Sequence, residues 1–436
     1  MTNPLHIFWF RRDLRLIDNH GLFEALQSDN KVLPIFIFDV DILNQLENKE
    51  DKEDKRVDFI FQALEKLNEY LQKTGKSIQI FYGKPLDIFE NLTQNYTIEA
   101  VFCNEDYEPY AIKRDQEVAT FLASKNIRFH SFKDQVIFEK DEIVKADGKP
   151  YTVYTPYSKL WLKTFQEKTL ETYPSEKKLE NLVEIQPQKL NLETIGFQKT
   201  NYQFKAPKID AQILENYHET RNLPTKETSQ MGVHLRFGTI SPRKLVKIAN
   251  QLKDQTYLKE LIWRGFFMQI LWHFPKVIHY SFKEKYDHIK WENNEDLFQK
   301  WCEGKTGYPI VDAGMRELNE TGFMHNRVRM VCASFLTKHL LTDWRLGEAY
   351  FAEKLMDYDL SANNGNWQWS AGSGCDAAPY FRVFNPEEQQ KKFDPQLIYI
   401  RKWVKEFGTS KYPKPIIEHK FARERALIRY KKGLGD

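Results

Sequence analysis

The stretch HIFWF, residues 6–10, decides the fold of the first part of the chain, since a continuous isoleucine- and aromatic-rich run is typical of a buried strand. Four similar runs follow, and segments with apolar residues at helical spacing separate them. The expected strands cover 6–10, 32–38, 78–82, 100–103 and 127–132, and the expected helices cover 22–26, 57–71, 86–92 and 111–122. This alternation predicts a five-stranded, doubly wound parallel sheet in an α/β domain over residues 1–130.

The rest of the chain has a different pattern. Residues 131–200 have little periodicity and hold the turn-forming stretch Asp147-Gly148-Lys149-Pro150, so we expect a connector there. Helical spacing dominates residues 201–436 and predicts a second domain that is all-α. It is clearest over 257–274, 311–318, 323–341 and 347–355. No G-x-G-x-x-G motif follows the first strand, so the α/β domain does not reveal its ligand.

Length and charge support this division. A chain of 436 residues is too long for one compact core. Residues 1–130 carry 16 Lys and Arg against 22 Asp and Glu, a net charge of −6, whereas residues 131–436 carry 48 against 39, a net charge of +9. A basic domain suits a partner with phosphates, such as nucleic acid, although excess lysine also suits a solvated helical surface.

Cysteine spacing and hydropathy argue against a metal-binding, disulfide-bonded, secreted or membrane protein. The four cysteines form no C-x-x-C pair, which argues against a zinc site and against a disulfide framework. The N-terminus lacks the charge order of a signal peptide, and no run approaches the roughly 18 apolar residues of a membrane helix. We therefore expect a soluble cytoplasmic protein without a bound metal.

Aromatic and polar residues concentrate in the predicted helical domain. Nine of the ten tryptophans follow residue 160, and they fit either an electron path to a redox cofactor or a core filled by large rings. The segment 357–369, DYDLSANNGNWQW, is too polar for a core helix and too aromatic for a solvent loop, so it predicts a cofactor pocket. Residues 228–232 offer hydroxyl and N–H groups for a pyrophosphate cradle or for ordinary N-capping.

Two pairs of residues share helical faces in this domain. Glu260 and Trp263 are three positions apart, and Asn326 and Met330 are four apart with Arg329 beside them. A carboxyl group next to an indole, or an amide next to a thioether, suits a ligand surface. The first pair fits an ordinary surface contact equally well, and a methionine alone is more often part of a packed core.

Five stretches, in order, match one family. They are FWFRRDLRLIDNHGL (8–22), TSQMGVHLRFGTISPR (228–243), ELIWR (260–264), GKTGYPIVDAGMRELNETGFMHNRVRM (304–330) and MDYDLSANNGNWQWSAGSGCDAAPYFRVFNP (356–386). The sequence resembles the photolyase/cryptochrome flavoproteins over essentially its whole length. The resemblance implies an α/β antenna-type domain, a connector and a helical domain that holds FAD in a folded conformation.

Within that family the sequence is most similar to class I cyclobutane pyrimidine dimer (CPD) photolyases. Asn326 follows His325 where (6-4) photolyases carry two histidines, Met330 matches the CPD enzymes, and Trp369 stands where the DASH branch has Tyr. The resemblance implies blue-light-driven repair of dimers in UV-damaged DNA, by electron transfer from excited reduced FAD to a flipped-out dimer. The alternative is a cryptochrome, a blue-light receptor that uses the same flavin without repair.

The resemblance also assigns roles to residues that contact the lesion and the DNA. Glu260 and Asn326 are expected to hydrogen-bond the thymine edges, while Trp263 and Trp369 stack the lesion rings and Met330 packs against the dimer. A dimer is poorly paired, so flipping it out of the duplex costs less than flipping normal bases. The expected DNA-binding residues are Arg221, Arg327 and Gln389.

For the cofactor, the resemblance implies a larger set. Arg329 and Asp357 are expected to form an ion pair beside the isoalloxazine ring, with Asp359 and Asn363 facing the ring and Asn363 next to N5. The other expected cofactor-binding residues are Tyr217, Thr228, Ser229, Gln230, Met231, Gly232, Tyr257 and Arg264. The residues expected to carry electrons from the surface to oxidised flavin are Trp367, Trp344 and Trp301.

Some positions depart from the family pattern. Gly265 stands where an acid is usual, and Gly232 stands where Ser is usual. Tyr110 and Ala111 occupy the places of an Asn and a Glu in folate-binding relatives. The antenna chromophore therefore stays open between methenyltetrahydrofolate, a deazaflavin, another flavin and none. The resemblance also implies a monomer.

Overall fold

The computed structural model describes residues 4–46, 52–187 and 191–435. Its contacts group the chain into two compact units, each assembled from three segments. The first takes Met1–Glu139, Leu162–Lys208 and Gln230–Gln251, and the second takes Lys140–Trp161, Ile209–Ser229 and Leu252–Asp436. The domain limits expected at residues 130 and 200 stay predictions beside this grouping.

The first unit is built on one parallel sheet. Its strands are β1 (Leu5–Phe10), β2 (Val32–Asp39), β3 (Gln79–Gly83), β4 (Ile98–Asn104) and β5 (Arg128–Phe132). They lie in the order β3-β2-β1-β4-β5 and every pair is parallel, so the predicted doubly wound sheet is confirmed. At its centre Trp9 pairs with Ile35 on one side and with Cys103 on the other, and all three are buried.

The order of the sheet reverses between β1 and β4, and the first unit's own side chains fill this point. The amide of Asn104, at the end of β4, donates to Asp13 at 2.5 Å and to Asn19 at 2.7 Å. Its oxygen accepts from the N–H of Gly21 at 2.8 Å. Burial raises the pKa of Asp13. Ligands of open α/β sheets commonly bind at such a point, and here buried polar contacts hold the loops together.

Helices make up most of the remaining structure. In chain order they are α1 (His20–Ala25), α2 (Val40–Leu43), α3 (Lys55–Leu71), α4 (Pro85–Asn95), α5 (Pro109–Ser124), α6 (Tyr154–Glu167), α7 (Ala211–Glu215), α8 (Tyr217–Thr220), α9 (Met231–Phe237), α10 (Pro242–Gln251), α11 (Thr256–His273), α12 (Glu295–Cys302), α13 (Pro309–Thr321), α14 (Asn326–Ser334), α15 (Trp344–Lys354), α16 (Leu360–Ala371), α17 (Pro386–Phe393), α18 (Ile398–Trp403) and α19 (His419–Leu434). Short 3-10 helices cover Gln72–Thr74, Ser175–Asn181, Glu193–Ile195, Pro275–Ile278 and Glu284–His288. The second unit contains no strand among its described residues, which agrees with the predicted all-α domain.

The helix expected over 323–341 is shorter in the structure. His325 is its N-cap, and the side chain of His325 accepts from the N–H of Arg327 at 3.2 Å, so α14 begins at Asn326. After Ser334 the backbone continues as a π-helix over Phe335–His339. A capping contact and a change of helix type are both local features that apolar spacing does not reveal.

The core of the second unit contains large aromatic rings. Trp301, Trp344 and Trp367 are at most 2 % exposed and pack in one apolar cluster with Phe335 and Phe351. All four cysteines of the chain are buried and unpaired. In the described ranges no helix is long and apolar enough to cross a membrane.

Candidate functional site

A cavity that is partly open to solvent lies in the second unit, where α14, α15 and α16 meet. Its lining combines charged, amide and aromatic side chains. The residues that line it are Asn326, Arg329, Met330, Ala333, Phe351, Leu355, Asp357, Tyr358, Asp359, Ala362, Asn363, Asn366, Trp367, Trp369 and Ser370. Eight of the residues singled out from the sequence lie here together: Asn326, Arg329, Met330, Asp357, Asp359, Asn363, Trp367 and Trp369.

Helix α16 supplies three polar lining residues, Asn363, Asn366 and Ser370, because residues at helical spacing share one face. Asp359 is its N-cap and accepts from the N–H of Ala362 at 3.3 Å. Gly365, on α16, allows close packing with α11, since a Cβ there would lie 2.2 Å from the ring of Phe267. The cap and this approach fix where the helix begins and which face it turns to the cavity.

Helix α15 also comes close to α16, and a glycine makes this possible. A Cβ on Gly347 would lie 2.2 Å from the indole of Trp367 and 2.5 Å from Leu336. No real side chain has such contacts, so any larger residue at 347 has to displace the ring. Trp367 is therefore held in one position at the cavity wall.

Arg329 and Asp357 form an ion pair in the cavity lining. The guanidinium of Arg329 donates to Asp357 at 3.0 and 3.1 Å, and its Nε donates to the carbonyl oxygen of Met324 at 2.7 Å. Next to it, burial and the two neighbouring arginines lower the pKa of His325 to about 4, so this imidazole is neutral at neutral pH. The charge at this end of the cavity thus comes from the Arg329–Asp357 pair.

A half-buried carboxyl group that the sequence does not reveal, that of Glu348, supports the amide of Asn363. Nδ2 of Asn363 donates to Oε1 of Glu348 at 2.8 Å and to the backbone oxygen of Glu348 at 3.1 Å. Burial raises the pKa of Glu348, and the hydrogen bond from Asn363 opposes this effect. Glu348 lies on α15 in the stretch Trp344-Arg-Leu-Gly-Glu348, where an acid reads as an ordinary solvent-facing residue.

The three tryptophans expected to form an electron path are all buried. The ring centroids of Trp301 and Trp367 are 6.1 Å apart, and the ring of Phe351 contacts both. Trp301 is 0 % exposed and donates from Nε1 to the backbone oxygen of Cys332 at 3.2 Å. The expectation that this set reaches the surface is therefore wrong for these three rings. Trp291, which is half-buried and packs against the same cluster, is closer to solvent.

Glu260 and Trp263 lie on α11 and are not part of the cavity lining. The guanidinium of Arg221 pairs with Glu260 at 2.6 Å. Burial raises the pKa of Glu260, while the charge of Arg221 opposes the shift. The ring of Trp263 stacks on Tyr154 with centroids 3.7 Å apart, so one face of the indole expected to stack a lesion is already covered.

Three arginines of the second unit form a basic group. Arg327 donates to the side-chain oxygen of Asn222 at 2.6 and 3.2 Å, and its guanidinium lies 4.5 Å from the ring centre of Phe393. Burial lowers the pKa of Arg327, and the positive charges of Arg221 and Arg382 lower it further. Arg382 was not among the residues singled out, although it lies in the matched stretch 356–386.

The other expected residues are more scattered. In the second unit Tyr257 donates to Oγ of Ser229 at 3.1 Å, and the ring of Tyr217 contacts that of Tyr257 edge to face. Arg264 is half-buried on α11. The side-chain oxygen of Gln389, on α17, is buried and accepts no hydrogen bond from the described residues.

Residues 228–232 are divided between the units. Thr228 and Ser229 belong to the second unit, while Gln230, Met231 and Gly232 belong to the first, at the start of α9. Gln230 has a left-handed backbone conformation, with φ of 51°. The role of this segment as a pyrophosphate cradle stays a prediction.

One departure from the family pattern has a simple structural reading. A Cβ on Gly265 would meet the hydroxyl of Tyr157 at 3.5 Å, an ordinary van der Waals contact. The local space therefore does not require glycine at this position of α11. Nothing in the described contacts explains why an acid is missing there.

Comparison with known proteins gives matches over nearly the whole chain. Residues 6–176 match the family model for DNA photolyase, and residues 257–410 match the model for the FAD binding domain of DNA photolyase. The deoxyribodipyrimidine photo-lyase of Synechococcus sp. is 34 % identical, over 99 % of this chain and 97 % of that protein. The protein of the same name from Escherichia coli is 34 % identical, over 98 % of each chain.

Solved structures that resemble this chain over nearly its whole length are also photolyases and a cryptochrome. A class III photolyase from Agrobacterium tumefaciens superposes with a TM-score of 0.87 at 30 % identity, over 100 % of this chain and 99 % of that one. An archaeal photolyase from Sulfolobus tokodaii, solved with two FAD molecules, has a TM-score of 0.82 at 33 % identity. A cryptochrome from Synechocystis sp. has a TM-score of 0.82 at 25 % identity. Each of the last two alignments covers 98 % of this chain and 99 % of the other.

Proposed function

Since the chain belongs to the DNA photolyase family and carries its FAD-binding domain, we propose that it repairs cyclobutane pyrimidine dimers in DNA under blue light. The observation that carries the proposal is the cavity between α14, α15 and α16. It brings together eight residues that resemblance had assigned separately to the lesion, the flavin and the electron path. The relatives named deoxyribodipyrimidine photo-lyase support the same reaction.

The cavity lining suits the isoalloxazine ring of FAD. Arg329 and Asp357 offer a paired donor and acceptor, Asp359 and Asn363 offer further polar groups, and Trp367 offers an aromatic ring. Charged, amide and aromatic groups that converge on one concave site are typical of a cofactor pocket. Reduced FAD, when bound and excited by blue light, supplies the electron that splits the cyclobutane ring and then takes it back.

The chain's own residues bind and orient the two reaction partners. Asn326, Met330 and Trp369 line the same cavity, so a dimer in contact with them lies beside the proposed flavin position. Glu260 is proposed to hydrogen-bond the thymine edge while Arg221 keeps its carboxyl group in place. Trp263 is proposed to stack on the lesion with the face opposite Tyr154, which supports the indole from its other side.

DNA binding is proposed to use the basic group Arg221, Arg327 and Arg382, and Gln389 on α17 is proposed as a further DNA-binding residue. Burial lowers the pKa of Arg327, and repulsion from the guanidinium groups of Arg221 and Arg382 lowers it further. Phosphates between them relieve this repulsion and release counterions from the DNA. We also propose that the protein acts as a monomer on UV-damaged DNA.

The proposed electron path needs a ring nearer the surface than Trp301. Trp367 lines the cavity and contacts Trp301, while Trp344 belongs to the same cluster. We propose that these rings serve reduction of FAD by light and not dimer splitting itself. Trp291 is proposed as the ring nearest solvent, because it is half-buried against this cluster.

The second chromophore of the first unit stays open between methenyltetrahydrofolate, a deazaflavin, another flavin and none. Tyr110, at one of the departing positions, donates to Asp39 at 2.7 Å, and burial of the phenol raises the pKa of Tyr110. Ala111 at the other position has no polar group to offer. A site built on the folate-binding Asn and Glu is therefore not proposed.

A repair assay separates this function from that of a cryptochrome. The FAD-loaded, chemically reduced protein is mixed with an oligonucleotide that carries one thymine dimer, and ultraviolet absorbance is followed in blue light and in the dark. The proposal predicts recovery of thymine absorbance in light only. Absence of recovery with FAD bound and reduced would instead support a light receptor without repair activity.

A further inference from the structure

The orientation of the Asn363 amide is set by a single neighbour, Glu348. A carboxamide NH₂ group carries two hydrogens, and both of its acceptors in the structure belong to Glu348: the backbone oxygen and Oε1. A rotated amide would place its oxygen against the backbone oxygen of Glu348, and two acceptors repel each other. Both hydrogens of the amide nitrogen are therefore used in hydrogen bonds to α15.

The other end of the amide is consequently available to a ligand. Asn363 lines the cavity, and its Oδ1 accepts no hydrogen bond from the described residues. A fixed oxygen that faces the cavity can accept a hydrogen bond from a ligand N–H but cannot donate one. Asn363 thus favours a bound group that presents a proton at this point.

Glu348 itself is suited to hold the amide rather than to contact a ligand. It is absent from the cavity lining, and none of the described cations forms an ion pair with its carboxyl group. Its partner is Asn363 on the neighbouring helix, and close packing at Gly347 keeps the two helices together. Burial raises the pKa of Glu348, so the loss of this hydrogen bond would leave a poorly solvated polar group.

We propose that Glu348 is a positioning residue that locks the Asn363 oxygen toward the cavity and thereby favours the reduced, N5-protonated form of bound flavin. Oxidised flavin presents a lone pair at N5, which a fixed oxygen repels, whereas reduced flavin presents an N–H group. The inference rests on the proposed placement of the isoalloxazine ring beside Asn363. It gives the protein a built-in preference for the redox form that repair requires.

The test compares the FAD-loaded wild-type protein with four variants in a redox titration with a reference dye. Glu348→Leu removes the carboxyl acceptor at similar size, and Glu348→Gln removes the charge but keeps an oxygen that can accept from Asn363. Glu353→Gln, on the exposed side of the same helix, is the matched control. At a fixed potential near the midpoint, the Leu variant should show a reduced-to-oxidised ratio about fivefold below wild type, the value of one net hydrogen bond.

The Gln variant and the control should stay within about twofold of wild type, a margin below one net hydrogen bond. If Leu and Gln both shift the ratio toward reduced flavin, Glu348 acts only through its charge and the proposal is overturned. An unchanged ratio in the Leu variant overturns it as well. Asn363→Leu distinguishes the role of Glu348 from the placement of the flavin ring beside Asn363. If Asn363→Leu lowers the ratio and Glu348→Leu does not, only the positioning role of Glu348 fails. If neither changes the ratio, the ring placement fails.

A measurement on the flavin-free protein covers the case in which the Leu variant does not load FAD. The protein is labelled with ¹⁵N at asparagine, and the side-chain signal of Asn363 is assigned by its loss in Asn363→Leu. The proposal predicts that both amide hydrogens exchange slowly with solvent in wild type and quickly in Glu348→Leu. Rapid exchange already in the wild-type protein would refute the lock.

Discussion

Replacing Glu260 with glutamine separates lesion recognition from general DNA binding. The carboxyl group pairs with Arg221 at 2.6 Å, and burial raises its pKa, so it exerts its charge in a partly desolvated place. Glutamine keeps the shape but removes the charge. Arg221 then loses its partner and becomes available to a DNA phosphate.

Two opposite effects follow, and their sizes can be worked out separately. A hydrogen bond to a charged group contributes about 1.5–3 kcal/mol, so affinity for dimer-containing DNA should fall by at least about tenfold if Glu260 contacts the thymine edge. Affinity for undamaged duplex should rise slightly, because one more cation can neutralise a phosphate. The salt dependence of that binding should steepen by up to about one counterion.

The assay is a binding titration of dimer-containing and undamaged duplexes at two salt concentrations. Glu219→Gln removes the same charge from the exposed helix α8, two residues before Arg221, and serves as control. The control should leave discrimination between the two duplexes unchanged. If Glu260→Gln strengthens binding to both duplexes equally, Glu260 is only the ion-pair partner of Arg221 and the proposed lesion contact is refuted.

Three further predictions test the electron path, the packing and the acid response. Trp367→Phe should stop reduction of FAD by light but leave repair intact when dithionite supplies the electrons; loss of both would contradict the separation of these roles. Gly347→Ala should lower the free energy of unfolding by about 1–3 kcal/mol, measured with denaturant, because its Cβ meets the ring of Trp367 at 2.2 Å; an unchanged midpoint would disprove this contact. Burial lowers the pKa of His234 from 6.5 to about 4, so the unfolded chain binds a proton that the folded chain does not as pH falls through this interval. Stability should therefore decrease by up to about 3 kcal/mol over that range, and His234→Gln should lose less; equal acid sensitivity of the two proteins in unfolding titrations would exclude this cause.

Much of the fold could be predicted because it depends on local patterns. The apolar runs at 6–10 and 32–38 are strands in the structure, and the sheet is parallel as the alternation with helices requires. The predicted helix ends were less accurate. The start of α14 depends on the side chain of His325, and apolar spacing does not reveal the π-helix at Phe335–His339. Grouping of Gln230–Gln251 with the sheet also depends on contacts distant in sequence.

In the candidate site, too, residues on one helical face could be predicted, whereas contacts between helices could not. Asn326 and Met330 were predicted to share a helical face, and both line the cavity together with Arg329. Glu348 was missed because a glutamate in a helix normally faces solvent, and only the packing of α15 on α16 brings its carboxyl group to Asn363. The burial of Trp301 likewise depends on which rings surround it and not on its own neighbours in sequence.

The most direct test of the central proposal is the yield of repair per reduced flavin. The reduced, FAD-loaded protein is given an excess of dimer-containing oligonucleotide under blue light without oxygen or added reductant, and both repaired dimers and flavin spectrum are measured. An electron that returns after each repair predicts many dimers repaired per FAD, with the flavin still reduced at the end. One dimer or none per FAD, with the flavin oxidised in step, would contradict the account.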